Sequence, residues 1–167
     1  VGNRTYHLAG VYLDTLVSSN TCDSVVTTTL TIITANYASI NGGILDTASA
    51  PGSFSNYNGS LLLDNNVTSI LKSATVYAQD TNSVTFELRD NNGIVLQDVT
   101  HTVYPGQQSL NFNFVIPVGT DFELGIDGGN SGLYRSNAQG NSWPYPFNIG
   151  AVSITSSNAG DDYYYFY

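Results

Sequence analysis

Between Ala74 and Ile126 the chain repeats one pattern, apolar side chains at every second position in runs divided by turn-forming residues. In Ser83 to Arg89 the residues Val84, Phe86 and Leu88 alternate with Ser83, Thr85, Glu87 and Arg89. Successive side chains of a strand point to opposite faces, so this order gathers the apolar groups on one side of a half-buried strand. Leu110, Phe112, Phe114 and Ile116 repeat it against Asn111, Asn113 and Val115. Asp90-Asn91-Asn92-Gly93 supplies residues able to take positive φ, which predicts an antiparallel hairpin between the runs on either side. Pro105-Gly106 and Pro117-Val118-Gly119 punctuate the next two junctions. No apolar spacing of three and four is sustained, and β-branched and aromatic residues dominate. The fold class is therefore all-β, an antiparallel β-sandwich.

A length of 167 residues suits one large sandwich, or a sandwich with a fragment of a neighbour, and 41% apolar residues can fill its core. The net charge of -9 reflects a shortage of cations, with Lys and Arg totalling 4 against 13 scattered acids. Nucleic acid is excluded as a partner because phosphate neutralisation needs clustered Lys and Arg, and a basic membrane-surface face is missing for the same reason. No run approaches the roughly 18 apolar residues of a spanning helix, so no membrane insertion is expected. No secretory leader is recognisable, so export implies a mature form or an internal piece. The one cysteine, Cys22, is either buried and inert or paired in an intermolecular disulfide.

In residues 1–33 strands are expected at Gly10 to Val17 and Val25 to Ile33. The order Gly10, Tyr12, Asp14, Thr15, Leu16, then Cys22-Asp23-Ser24-Val25-Val26, then Thr28-Thr29-Leu30-Thr31-Ile32, resembles the end of an immunoglobulin-like repeat common in large secreted surface proteins of Bacteroidota. Asn20-Thr21 stands where that pattern prefers Asn-Gly, and the earlier cysteine that often accompanies it is missing. A partial Ig-like strand pair is marginal alone in water. It must pack on the following domain, on an upstream segment or on another chain, the last by strand addition.

Residues 34–167 form the second expected domain. Its opening is loop-rich, with turn signals at Asn41-Gly42-Gly43 and Ala50-Pro51-Gly52-Ser53, a short apolar run at Leu61-Leu62-Leu63 and a short strand expected at Val67 to Leu71. From about Ile70 the chain resembles a second module of the same secreted proteins. The residues that carry the likeness include Ser73-Ala74-Thr75-Val76-Tyr77-Ala78, Phe86-Glu87-Leu88-Arg89-Asp90, Val115-Ile116-Pro117-Val118-Gly119, Phe122-Glu123-Leu124-Gly125-Ile126, Gly132-Leu133-Tyr134-Arg135 and the terminal Tyr163 to Tyr167. That resemblance implies a jelly-roll-like sandwich, beside catalytic or adhesive domains of exported proteins and without a defined activity of its own.

The richest candidate surface is Gly128 to Gly150, where Tyr134, Arg135, Trp143 and Tyr145 stand in a Gly, Asn and Ser background. Aromatic rings stack on the C–H face of a pyranose while amides and guanidinium bond its hydroxyls, so these four are the candidate ligand-binding residues for a polysaccharide. The competing reading sends the aromatics into the core and makes Arg135 a structural cation for Asp161-Asp162. Tyr163 to Tyr167 reads as a last strand with aromatics on both faces, one of which must be covered or form a contact site. Among metals only calcium is admitted, at Asp90 and Asn92 with Asn91 and Asp98, or at Asp121 with Asp127, and turn preferences already account for these residues. No cofactor is otherwise implied. Catalysis lacks a signature: no Gly-x-Ser-x-Gly, no phosphate-binding glycine loop, and the two glutamates, Glu87 and Glu123, sit at solvent positions of alternating strands. His101 reads as a solvent-facing strand residue.

The expectation is a non-catalytic structural or adhesive module of a secreted, cell-surface or filament-forming protein, with other protein modules or copies of itself as partners. The alternatives are a carbohydrate-binding module and an accessory domain of a secreted hydrolase.

Overall fold

A computed structural model describes residues 5–16, 24–30, 39–48, 51–129 and 131–167. The chain divides into two compact units, Val1–Ser39 and Ile40–Tyr167.

In the first unit, β1 (Gly10–Leu16) and β2 (Ser24–Leu30) pair antiparallel from Gly10↔Leu30 to Leu16↔Ser24. Tyr6 stacks on Tyr12 with ring centroids 3.9 Å apart, and its hydroxyl donates to the buried Asp14 carboxylate. Val17, Ile33 and Cys22 lie outside the described residues, so the expected strand ends and the disulfide at Cys22 are not addressed by the structure.

The second unit follows a nested pairing. Its strands are β3 (Gly52–Ser55), β4 (Leu61–Asn65), β5 (Ser69–Ala78), β6 (Asn82–Arg89), β7 (Val95–Val103), β8 (Gly106–Ile116), β9 (Gly119–Ile126) and β10 (Leu133–Asn137). The hairpin β6–β7 lies innermost, then β5 pairs β8, β4 pairs β9 and β3 pairs β10, all antiparallel. Laid out as sheets, the orders are β3-β10-β5-β8 and β4-β9-β6-β7. A double strand folded over on itself in this way is a jelly roll, and the all-β antiparallel sandwich expected from the alternation is what forms. Among the described residues there is no helix.

The predicted core face of the runs is the observed one. Val84, Phe86 and Leu88 are 4%, 0% and 0% exposed, and Leu110, Phe112, Phe114 and Ile116 all lie at 8% or below. Gly93 turns the β6–β7 hairpin with φ 78°, and the Asp90 carboxylate accepts the backbone N–H of Asn92 and Ile94, each at 2.9 Å. Sequence reading split β5 into two strands. The structure joins them across a register shift between Leu71 and Ser73, opposite Asn113, whose left-handed φ of 56° absorbs the irregularity.

Two further features complete the sandwich. The sheet edges at β7 and β8 are tied by side chains: Gln97 donates to Val115 O at 2.7 Å and accepts from Val115 N at 2.9 Å, and His101 Nε2 donates to Asn111 O at 2.9 Å. Unpaired edges invite pairing with other chains, and these bonds occupy them. His101 is thus half-buried, its ring against Phe86 and Phe112, because its strand neighbours a seam and not open solvent.

At the other side β11 (Phe147–Ile149) and β12 (Val152–Ser157) extend the second sheet from β4. Strand β13 (Tyr163–Tyr164) pairs β10 on the side opposite β3, because Ser136 matches Gly52 on one flank and Tyr164 on the other. Strands β10 and β5 meet at Leu133↔Ala78, and Tyr167 exchanges both backbone bonds with Thr75 of β5. The terminal aromatic segment therefore wedges between two strands that diverge. Tyr164, Tyr165 and Phe166 are successive and all buried, at 1%, 6% and 7% exposure, which a regular strand with two faces does not allow. Phe166 at φ 57° breaks the alternation.

Candidate functional site

The β3–β4 connection, β10, the turn after β12 and the C-terminal wedge converge on a cleft of about 210 Å³ lined by Tyr57, Asn58, Gly59, Arg135, Asn158, Ala159 and Tyr165. The register that pairs Arg135 with Ser53 brings the chain after β3 back beside Arg135. The Arg135 guanidinium carbon then lies 4.7 Å from the centroid of the Tyr57 ring and 4.3 Å from that of Tyr163. Rings at these distances attract a cation through their quadrupoles. Tyr57 is 67% exposed and stands at the mouth.

The wall is fixed by polar clips. Asn158 Oδ1 accepts from Ser60 N at 3.0 Å, and Asn158 N donates to Ser60 O at 3.1 Å. The floor is Tyr165, packed so closely over Gly59 that a Cβ there would lie 1.8 Å from the ring. Burial raises the Tyr165 pKa above its ordinary value, and the neighbouring Arg135 opposes that rise. The Tyr165 hydroxyl is buried beside the Arg135 guanidinium.

No family model, curated protein or solved structure matches the chain. The cleft has to be read from its own chemistry: a planar cation between two phenol rings, two amides beside it, and an outward ring face.

Of the four residues singled out in the sequence as ligand-binding, Arg135 lines this cleft and the other three lie elsewhere. Tyr134, the next residue on a strand, points to the opposite face and makes edge contacts with Phe54 at 5.5 Å and Tyr77 at 6.3 Å. Tyr145 stacks on Tyr164 at 6.2 Å, and its hydroxyl donates to Tyr163 O at 2.7 Å. Trp143 packs half-buried against the core, its backbone N–H bonded to Asp161 O at 2.8 Å. Arg135 makes no ion pair among the described residues, with Asp161 and Asp162 or any other acid; Asp161 instead accepts from Ser156 Oγ at 2.6 Å.

Asp90 and Asn92 both belong to the β6–β7 turn. The turn amide of Ile94 foremost, with Asn92, holds the Asp90 carboxyl below the usual carboxylate range, so its oxygens already have partners. Among the described residues no three His, Cys, Asp or Glu side chains converge as a metal site would require. Glu87 is 8% exposed and not solvated: Arg89 donates to it and to Ile126 O at 2.8 Å, and lies 3.7 Å from Glu123. Tyr57 and Asn158 are not marked by the sequence, and Asn58 stands out there only as a turn residue and as the first residue of the glycosylation-acceptor pattern Asn58-Gly59-Ser60. The available signal was Asn56-Tyr57-Asn58-Gly59, an aromatic among amides and glycine, the same composition that marked Gly128 to Gly150.

Proposed function

We propose that this chain is a non-catalytic adhesive module of an exported surface protein, and that its jelly roll holds a carbohydrate in the cleft between Tyr57 and Arg135. The observation that carries the reading is Tyr57: one ring face rests on the Arg135 guanidinium, and the side chain is still 67% exposed. A ring anchored from behind and open in front offers the flat apolar surface on which a pyranose stacks, while Asn58 and Asn158 supply amides for its hydroxyls. The extracellular setting is what the sequence resemblance noted from about Ile70 onward implies.

Native gels cast with neutral and acidic polysaccharides test this reading. Retardation is expected on at least one glycan, and Tyr57→Ala should weaken it about tenfold, the effect of losing one stacking ring. Migration unaffected by every polysaccharide overturns the proposal.

A second reading, assembly through strand addition, is favoured by the β1–β2 ribbon, on which Val11, Leu13 and Val25 are 63%, 64% and 61% exposed. Light scattering across a concentration series decides it: growth in mass that Val11→Asp abolishes supports assembly, and a constant monomer mass rejects it.

A further inference from the structure

We propose that the cleft selects a sugar unit bearing a carboxylate, with Arg135 as its charge partner. The inference rests on the reading of this cleft as a carbohydrate site and adds the charge of the ligand.

Its basis is an imbalance. The chain carries 13 acids and 4 Lys and Arg, so an arginine without a carboxylate is not explained by scarcity of acids. Arg89 shows the usual outcome, engaged by Glu87 and Glu123 together. Arg135 is held instead by neutral groups, the rings of Tyr57 and Tyr163 and the hydroxyl of Tyr165, while Asp161 is committed to Ser156. Two aromatic contacts cover the faces of a guanidinium and leave its rim, where the N–H donors lie. A rim of parallel N–H bonds matches the two oxygens of a carboxylate. Two further donors stand at the same cleft: the Asn158 side-chain NH2, whose Oδ1 is fixed on Ser60 N, and the buried Tyr165 hydroxyl, whose oxygen lies beside Arg135 and whose hydrogen is left for a ligand. All three groups donate, and the cleft lining contains no acidic side chain to repel an anion. Tyr57 beside them selects for a sugar ring over a bare anion.

Affinity electrophoresis and calorimetry with polygalacturonate, alginate and hyaluronan, each against its carboxyl-reduced counterpart, provide the test. Binding to at least one polyuronate is expected, at least tenfold tighter than to its reduced form and weakening as NaCl is raised. Arg135→Gln should remove that selectivity. Because Arg135 also bridges two rings, Asn158→Asp is the companion variant: it keeps the oxygen that accepts from Ser60 and adds a negative charge inside the cleft. It should lose polyuronate binding at an unchanged melting temperature. Equal binding of acidic and reduced polymers overturns the acid specificity and leaves the carbohydrate reading standing. Binding to no polymer of either kind overturns both. Polyuronate binding that survives Arg135→Gln and Asn158→Asp together removes it from this cleft and refutes the assignment.

Discussion

A side chain at position 59 has no room. The Cβ of an alanine there would lie 1.8 Å from Tyr165 Cζ and 2.1 Å from its hydroxyl oxygen, far inside van der Waals contact. Tyr165 is 6% exposed and cannot swing into solvent, so the ring or the β3–β4 connection must shift. Overpacking of this kind costs about 1–3 kcal/mol. Gly59→Ala is expected to lower the urea midpoint by that free energy divided by an unchanged m value, and to weaken glycan retardation because the displaced ring lies beside Arg135. Gly93 offers a contrast. Nothing stands within 4 Å of its Cβ position, and its φ of 78° alone resists a side chain, so Gly93→Ala should cost about 1 kcal/mol through backbone strain. Equal unfolding midpoints for Gly59→Ala and the wild type would remove the steric account of the cleft floor.

At the scale of elements, the strands legible in the sequence are those whose neighbours make them regular. Strands β6 and β8 lie over one core with a turn of standard chemistry between β6 and β7, so period and punctuation agree, and Phe86 and Phe112 land where alternation puts them. What stayed hidden depends on contacts between segments far apart in the chain. His101 shares the inward face of its strand with Val99 and Val103, and the polarity of its ring masks that placement because the face opens there on the seam with β8. Tyr134 and Arg135 are adjacent in sequence and so read as one surface, while the pleat sends them to opposite faces. The partners of Arg135 come from positions 57, 163 and 165, a set that no local pattern specifies. The terminal wedge is the largest such case, since Tyr164, Tyr165 and Phe166 fill a gap that only the divergence of β5 and β10 creates. Burying a large apolar side chain contributes about 1.5–3 kcal/mol, so these three together rival the 5–15 kcal/mol net stability typical of a domain. Deleting Tyr163 to Tyr167 should therefore yield a chain without a cooperative melting transition. A truncated protein that melts at the wild-type temperature would show the wedge to be dispensable.

For the whole molecule, the same tyrosines make stability depend on alkalinity. Burial foremost pushes the Tyr164 phenol up to about 12, against its hydrogen bond with the Ile44 backbone, and burial likewise raises Tyr145 and Tyr167. These residues link β13, the loop before β11 and the Thr75 region of β5, so their ionisation strikes both sheets at once. An unfolded tyrosine titrates near 10. Below that pH both states hold the proton and the contribution is complete. Between pH 10 and 12 the unfolded chain releases a proton that folded Tyr164 keeps, and stability declines by about 1.4 kcal/mol per pH unit for that phenol. By pH 12 this amounts to about 2.3 kcal/mol from Tyr164, with Tyr145 and Tyr167 acting in the same direction. The chain should remain folded through mildly alkaline solution and then unfold cooperatively between pH 10 and 12, the last phenolate absorbance at 295 nm rising in step with loss of the near-ultraviolet circular dichroism. Tyr164→Phe should move that midpoint to higher pH, because the buried ring stays and the proton linkage goes. Complete ionisation of all 12 tyrosines with the near-ultraviolet signal intact would mean that the aromatic wedge is open to hydroxide, contrary to the packing on which the fold and the cleft depend.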